Sequence, residues 1–142
     1  MPLTKTQLID KTTAFAKAYK IPLSSIVVSA GGSMLMHGFK ETTNDIDASV
    51  EFMLFKETAA KAGRETEWLP GLGATQGCYI CHFPEFDLDL HSGRFMENAV
   101  TDLVSVNGIT VLTINALLRQ KQAMGRDKDK RDVEVIRARL GV

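Results

Sequence analysis

The stretch from Ser29 to Glu51, S-A-G-G-S-M-L-M-H-G-F-K-E-T-T-N-D-I-D-A-S-V-E, decides the fold. Ahead of it the apolar run Ile26-Val27-Val28 feeds a Gly31-Gly32-Ser33 turn, and further on Asp45 and Asp47 flank Ile46. A glycine-serine turn bares backbone N–H groups to whatever approaches, while two carboxylates at i and i+2 of a strand project from one face. The first half suits phosphate and the second a hard cation. Together they describe a chain built to hold a metal-bound nucleotide.

Working outward, Thr4 and Gln7 form a capping box, and Leu8, Ile9, Phe15, Ala18 and Tyr19 follow at helical spacing, which predicts a first helix over 4–19 stopped by Pro22. Residues 25–30 read as a short β-branched strand, after which Ser33 is expected to cap a brief helix that Gly38 closes. Residues 45–52 alternate, with Asp45, Asp47 and Ser49 on one face and Ile46, Ala48 and Val50 on the other, and a helix over 55–62 ends at Gly63. The segment P-G-L-G-A-T-Q-G over 70–77 is an exposed loop that could close over a ligand.

Two strands are expected over 78–83 and 86–91, joined at Pro84-Glu85; in the second, Asp87, Asp89 and His91 share a face. Asn107-Gly108 between alternating residues of 104–111 predicts a type I′ hairpin. Thr113 caps a helix over 114–124, Gly125 breaks it, and a charged segment leads into a last amphipathic helix with Val133, Ile136 and Leu140. No repeat or linker interrupts the chain, so the expected architecture is one α+β domain, residues 1–142, around a small mixed sheet flanked by helices.

At 142 residues the chain can bury a core without disulfides or structural metal. Its formal net charge of zero supplies no overall field for nucleic acid or an anionic membrane. No apolar run approaches the roughly 18 residues of a membrane span and the N-terminus carries no signal region, so a cytoplasmic, membrane-free protein is expected. Cys78 and Cys81, in C-Y-I-C-H, match the spacing of redox and haem-attachment motifs, but they lie among strand residues and are expected to be ordinary partly buried thiols.

A magnesium ion prefers octahedral oxygen coordination, so a site needs convergent carboxylates and room for phosphate oxygens. Asp45 and Asp47 supply two, and the strand over 86–91 can place Asp87 or Asp89 beside them. Two such ions about 3.5–4 Å apart would serve phosphoryl or nucleotidyl transfer. Taken alone, D-x-D is also a turn cap with a solvated neighbour, and G-G-S is also a plain tight turn. No G-x-x-x-x-G-K-[ST] is present, which excludes a P-loop. Thr42-Thr43-Asn44 before Asp45 is unlike the apolar strand that precedes a phosphoaspartate nucleophile in haloacid-dehalogenase phosphatases.

Gly32-Ser33, then Asp45 and Asp47, then a third acid on a later strand, resembles the nucleotidyltransferase superfamily typified by DNA polymerase beta and the minimal nucleotidyltransferases. The tail L-T-I-N-A-L-L-R-Q-K-Q-A-M-G-R-D-K-D-K-R-D-V-E-V-I-R similarly resembles the toxin-type and antibiotic-modifying branches, in which a helix with a Lys precedes a G-R-x-K-D-x-x-D segment. The matches cover roughly residues 26–52, 86–91 and 109–137. The resemblance implies transfer of a nucleoside monophosphate from a nucleoside triphosphate, ATP among them, with magnesium or manganese as cofactor and pyrophosphate leaving. By position, Gly32 and Ser33 would hold phosphate, Asp45 and Asp47 would bind both metals, and the third acid would bind one metal and act as base. Asp89, deeper in the strand and followed by Leu90-His91, is favoured for that role over Asp87.

Lys121 and Arg126 are candidates to complement the triphosphate, with Asp129 and Asp132 as anchors; the plainer alternative is a solvated basic stretch paired at helical spacing. His91 could contact phosphate or simply close a hydrogen bond at a strand end, and His37 reads as a satisfied neighbour of the turn. The acceptor is left open between an RNA end, a protein and a small molecule, in a cleft that a second subunit or partner protein could complete. The other reading is a catalytically silent binding module of the same fold, such as one half of a toxin–antitoxin pair.

Overall fold

A computed structural model describes residues 2–71, 73, 76–93 and 102–142. In chain order the elements are α1 (Lys5–Ala18), β1 (Val27–Ser29), α2 (Ala30–Met36), β2 (Ile46–Val50), α3 (Phe52–Ala62), β3 (Glu67–Leu69), β4 (Cys78–Phe83), β5 (Leu88–Ser92), β6 (Leu103–Val106), β7 (Ile109–Leu112), α4 (Ile114–Met124) and α5 (Asp127–Leu140). The fold is α+β. Among the described residues seven strands make one mixed sheet in the order β3-β4-β5-β2-β1-β7-β6. At its centre β2 runs antiparallel to β1 and parallel to β5, while β1 runs parallel to β7.

Local chemistry accounts for most of the boundaries. Thr4 and Gln7 form the capping box of α1. The Thr113 hydroxyl accepts from the Ala116 N–H at the start of α4. Asn107 and Gly108 both have positive φ, 52° and 82°, as a type I′ turn requires. The helix after β2 begins earlier than the alternation suggests, because the Glu51 carboxylate caps it by accepting from Met53 and Leu54 N–H groups.

Two departures bear on function. Ser33 does not cap α2: the helix starts at Ala30, directly off β1, and Ser33 is buried inside it with its hydroxyl donating to the Val28 carbonyl at 2.7 Å. A Cβ on Gly32 would lie 2.5 Å from Val28 Cγ1, so glycine lets this helix lie against its own strand. The strand expected over 86–91 begins only at Leu88, since Pro84–Phe86 form a single 3-10 turn and Asp87 takes the left-handed conformation, φ 49°. Asp87 is thereby turned off the row its spacing suggested.

One face of the sheet is closed by apolar packing that includes Leu8 and Phe15 of α1, Phe55 and Ala59 of α3, and the buried residues of β2 and β5. Phe15 stacks edge-on against Phe83 and Phe86 at centroid distances of 4.9 and 5.5 Å. Full burial of the Phe15 and Phe83 rings contributes about 1.5–3 kcal/mol each. On the opposite face Val27, Met34, Leu112, Ala116, Leu117 and Ile136 form a smaller cluster that seats α4 and α5 over the β1–β7 side. No described helix is long and apolar enough to cross a membrane.

Candidate functional site

Strand register sets out the polar side chains. Ser29 stands opposite Asp47, Asp47 opposite Asp89, and Asp89 opposite His82, a single row across β1, β2, β5 and β4. Directly paired residues share a face, so all four project from the side that carries α4 and α5. His91 Nε2 donates to Asp47 Oδ1 at 3.2 Å, and its Nδ1 lies 3.6 Å from Cys78 Sγ. Burial opposes charge on this imidazole, yet the bonds to Asp47 and Cys78 outweigh it and raise its pKa from 6.5 to about 9. His82 meets Asp89 Oδ1 at 2.6 Å through Nδ1 and Glu67 Oε1 at 3.0 Å through Nε2. A carboxylate at each nitrogen selects the doubly protonated ring, and the Asp89 bond, against burial and with help from Glu67, raises the His82 pKa.

Asp45 precedes this row at the edge of a cleft of about 300 Å³. Burial first, then the negative charges of Asp47 and Asp89, raise its pKa. Asp87 is elsewhere. Its carboxylate pairs with Lys11 of α1 at 3.2 Å, which removes it from the proposed metal ligands.

Nor do three acids converge: among the described residues no three His, Cys, Asp or Glu side chains group closely enough to hold a metal ion. Asp89 is held toward His82 and Asp47 toward His91, which spreads the acidic row. The donor set nevertheless fits magnesium or manganese, which are commonly held by one or two carboxylates together with substrate phosphates. Asp45 and Asp47 offer only oxygen donors, and a cation between them would relieve the repulsion that raises the Asp45 pKa.

The cleft's other wall is basic. Arg126, Lys128 and Lys40 line it, and the positive charge of Lys128 works against the raised pKa of Asp45. Arg126 is fixed by a bidentate pair, Nε to Asp129 Oδ2 at 2.7 Å and an Nη2 bond to Oδ1 at 3.2 Å, while its backbone N–H also reaches Asp129. Burial works against the Asp129 charge, but these bonds and Lys121 hold its pKa below the usual value. Asp129 thus positions Arg126 and caps α5.

Lys121 is not a free cation. It is 2% exposed, with Nζ 3.0 Å from Asp132 and 3.5 Å from Asp129, so two carboxylates already neutralise it beneath the cleft. Its charge serves to tie α4 to α5. Lys121 still borders the cleft with Asp132, whereas Gly32 and Ser33 lie off its lining, which takes Ala30 and Gly31 from the same turn. Gly31 is required there: a Cβ would lie 2.6 Å from Thr43 Oγ1, and that loop is itself pinned by the Leu3–Thr43 backbone pair.

Lys40 and Lys128 are the lining cations that sequence reasoning passed over. Lys128 sits in an alternating charge run that reads equally well as a solvated helix face, and Lys40 is a lone loop charge without motif context. His37 donates from Nε2 to the Leu112 carbonyl at 2.7 Å, a structural role. Cys78 and Cys81 are buried thiols. In the 70–77 loop, Gly73 packs against the carbonyls of Ala123 and Met124, whereas Leu72, Ala74 and Thr75 lie outside the described residues.

The same architecture occurs in JHP933 from Helicobacter pylori, with a TM-score of 0.50 and 11% identity over 90% of this chain and 62% of that one. The Megavirus polyadenylate synthase aligns at 0.49 and 12% identity, over 89% of this chain and 32% of that one. A candidate nucleotidyltransferase from H. pylori aligns at 0.45 and 11% identity, over 82% and 56%. This chain therefore spans less than two thirds of each of these structures, and at 11% identity its likeness to JHP933 is one of fold. No family model and no curated protein matches the sequence.

Proposed function

We propose that this chain is a metal-dependent nucleotidyltransferase that moves a nucleoside monophosphate from a nucleoside triphosphate to an acceptor hydroxyl. The supporting observation is the juxtaposition in one cleft of Asp45 and Asp47 with the basic wall of Arg126, Lys128 and Lys40, while Asp89 stands in register beside Asp47. Asp45 and Asp47 hold magnesium or manganese. When bound, the metal acidifies the attacking hydroxyl and offsets charge on the triphosphate. Arg126, Lys128 and Lys40 steady the phosphate oxygens, and Ala30 and Gly31 line the same space.

Asp89 orients the acceptor and takes its proton, held in place by His82. The acceptor oxygen bonds to the α-phosphorus as the bond from that phosphorus to the bridging oxygen breaks. Pyrophosphate then leaves with the electron pair.

One observation favours a second reading, a binding module without turnover: Asp47 and Asp89 already have histidine partners. The two readings separate in one assay, in which the protein is incubated with magnesium and each α-labelled triphosphate in the presence of a cell extract. Transfer predicts released pyrophosphate and a labelled acceptor, both lost in Asp47→Asn. Nucleotide binding with neither product nor pyrophosphate would instead support the silent module.

A further inference from the structure

A second cavity, of about 270 Å³, lies on the far side of Asp47 from the basic cleft. Among the described residues the two cavities share only Ala30, Asp47 and Arg126 in their linings. A transfer reaction needs two substrates to meet at the reacting atoms, and this shared wall is where two cavity occupants would meet. Asp89 lines the second cavity alone.

Its walls divide by chemistry. Leu69 and Ile80 from the sheet face Met124 from α4, giving an apolar slot. Two polar atoms in the same lining lack any hydrogen-bond partner although buried: Ser29 Oγ, in a residue 1% exposed, and Gln120 Oε1. Such groups are costly to leave unsatisfied and gain when a ligand supplies the missing partner. Thr12 and Ser49 also carry unpartnered hydroxyls, but neither lines this cavity.

Charge narrows the occupant further. Among the described residues lysine is absent from this lining, its arginine is already engaged by Asp129 and its His91 by Asp47, and its carboxylates, Asp47 and Asp89, repel anions. A phosphorylated chain end would find, among the described residues, no cation here that a carboxylate does not already hold. The volume also falls slightly below the roughly 300–1,000 Å³ common for ligand pockets.

Resting on the transferase reading, we propose that this cavity is the acceptor site and that its acceptor is a small neutral or cationic alcohol with an apolar body. Ser29 and Gln120 hydrogen-bond its polar end, Leu69, Ile80 and Met124 pack its body, and its hydroxyl faces Asp89. That oxygen becomes ester-linked to the nucleoside monophosphate, its proton passes to Asp89, and pyrophosphate departs on the opposite side of the shared wall.

The test supplies the full chain, magnesium and α-labelled triphosphates with four separate pools from a cell extract: RNA, protein, and the low-mass filtrate divided by anion exchange into retained and unretained molecules. Label is expected in the unretained low-mass pool. Ser29→Ala and Gln120→Leu should each lower that labelling roughly tenfold or more, because a site built to hydrogen-bond its substrate loses much when a partner goes. Calorimetric titration with a non-hydrolysable triphosphate should give an unchanged Kd, and Ser29→Ala should melt no lower than wild type, since it removes an unsatisfied hydroxyl.

Label confined to RNA, protein or the retained anions would overturn the acceptor assignment, as would variants that label like wild type. Loss of nucleotide affinity in the variants would make the cavity a nucleobase seat instead. If the wild type releases no pyrophosphate and labels no pool, the transferase reading itself fails, and this proposal fails with it.

Discussion

The two faces of β2 and β5 carry opposite kinds of residue at alternate positions of the same strands. Ile46, Ala48, Val50, Leu88 and Leu90 point into the closed core and are 2% exposed or less. Asp47 and Asp89, interleaved with them, stand on the other face at 31% and 25% side-chain exposure. One face is covered by buried apolar side chains and the other holds spread charges beside two cavities. Stability and chemistry are therefore separable on these strands, and substitutions one residue apart should have different consequences.

The largest contrast is between Asp47→Asn and its strand neighbours. The asparagine variant should fold, giving up no more than the charge-dependent part of its bond to His91, and lose transfer by about 10²–10⁴-fold or more, as removal of a metal- or proton-handling carboxylate does. Ile46→Ala, on the closed face, should cost about 2–5 kcal/mol of stability through the cavity it leaves. Paired measurements of chemical denaturation and pyrophosphate release would show whether the losses segregate by face. Comparable destabilisation by both variants would break the comparison.

Lys121 belongs to the functional face by sequence but to the packed interior by burial. Lys121→Met should leave Asp129 and Asp132 without their shared cation and cost about 3–5 kcal/mol, the usual penalty for breaking one side of a buried pair. Arg126→Met, removing a part-exposed guanidinium, should cost much less stability and weaken triphosphate binding instead. Urea midpoints and nucleotide titration of the two variants distinguish tie from ligand.

These reversals show what the sequence could and could not convey. Caps, the type I′ turn and the D-x-D alternation depend on neighbours in sequence, and those elements could be read directly. Asp87 shared the period of Asp89 and His91 but was withdrawn by a left-handed turn that the Pro84–Phe86 segment imposes. Ser33 looked like a helix cap because the strand-to-helix junction closes more tightly than its glycines reveal. The charge on Lys121 depended on how α4 docks against α5, a tertiary fact that no spacing within either helix expresses. Ser29 and Gln120 carried no motif at all, and their significance comes from lacking partners in the folded protein.

A smaller effect should appear in pH dependence, through His91. Its folded pKa of about 9 lies above the ordinary 6.5, so protonation stabilises the fold. That contribution is fully present below about pH 6.5 and is lost as pH rises through about 9, on the order of 3 kcal/mol in total. Denaturation of the metal-free protein between pH 6 and 10 should show this fall, and His91→Gln should flatten it. Magnesium should shift the fall to lower pH by competing for Asp47.

The smallest effect tests the hinge between the two faces, Ala30. Its φ of 53° places a non-glycine residue in the left-handed region at the point where β1 becomes α2, and it borders both cavities. That conformation costs about 1–2 kcal/mol for an L-residue with a Cβ. Glycine removes the strain but widens the unfolded ensemble by about 0.4–1 kcal/mol. Ala30→Gly should therefore stabilise the fold by a few tenths to about 1 kcal/mol, measured by chemical denaturation. Transfer should fall at the same time, because the freed backbone no longer fixes the wall that both substrates share. A variant that loses stability would show that Ala30 is unstrained; one that gains stability and keeps full activity would show that the strain does no work at the site.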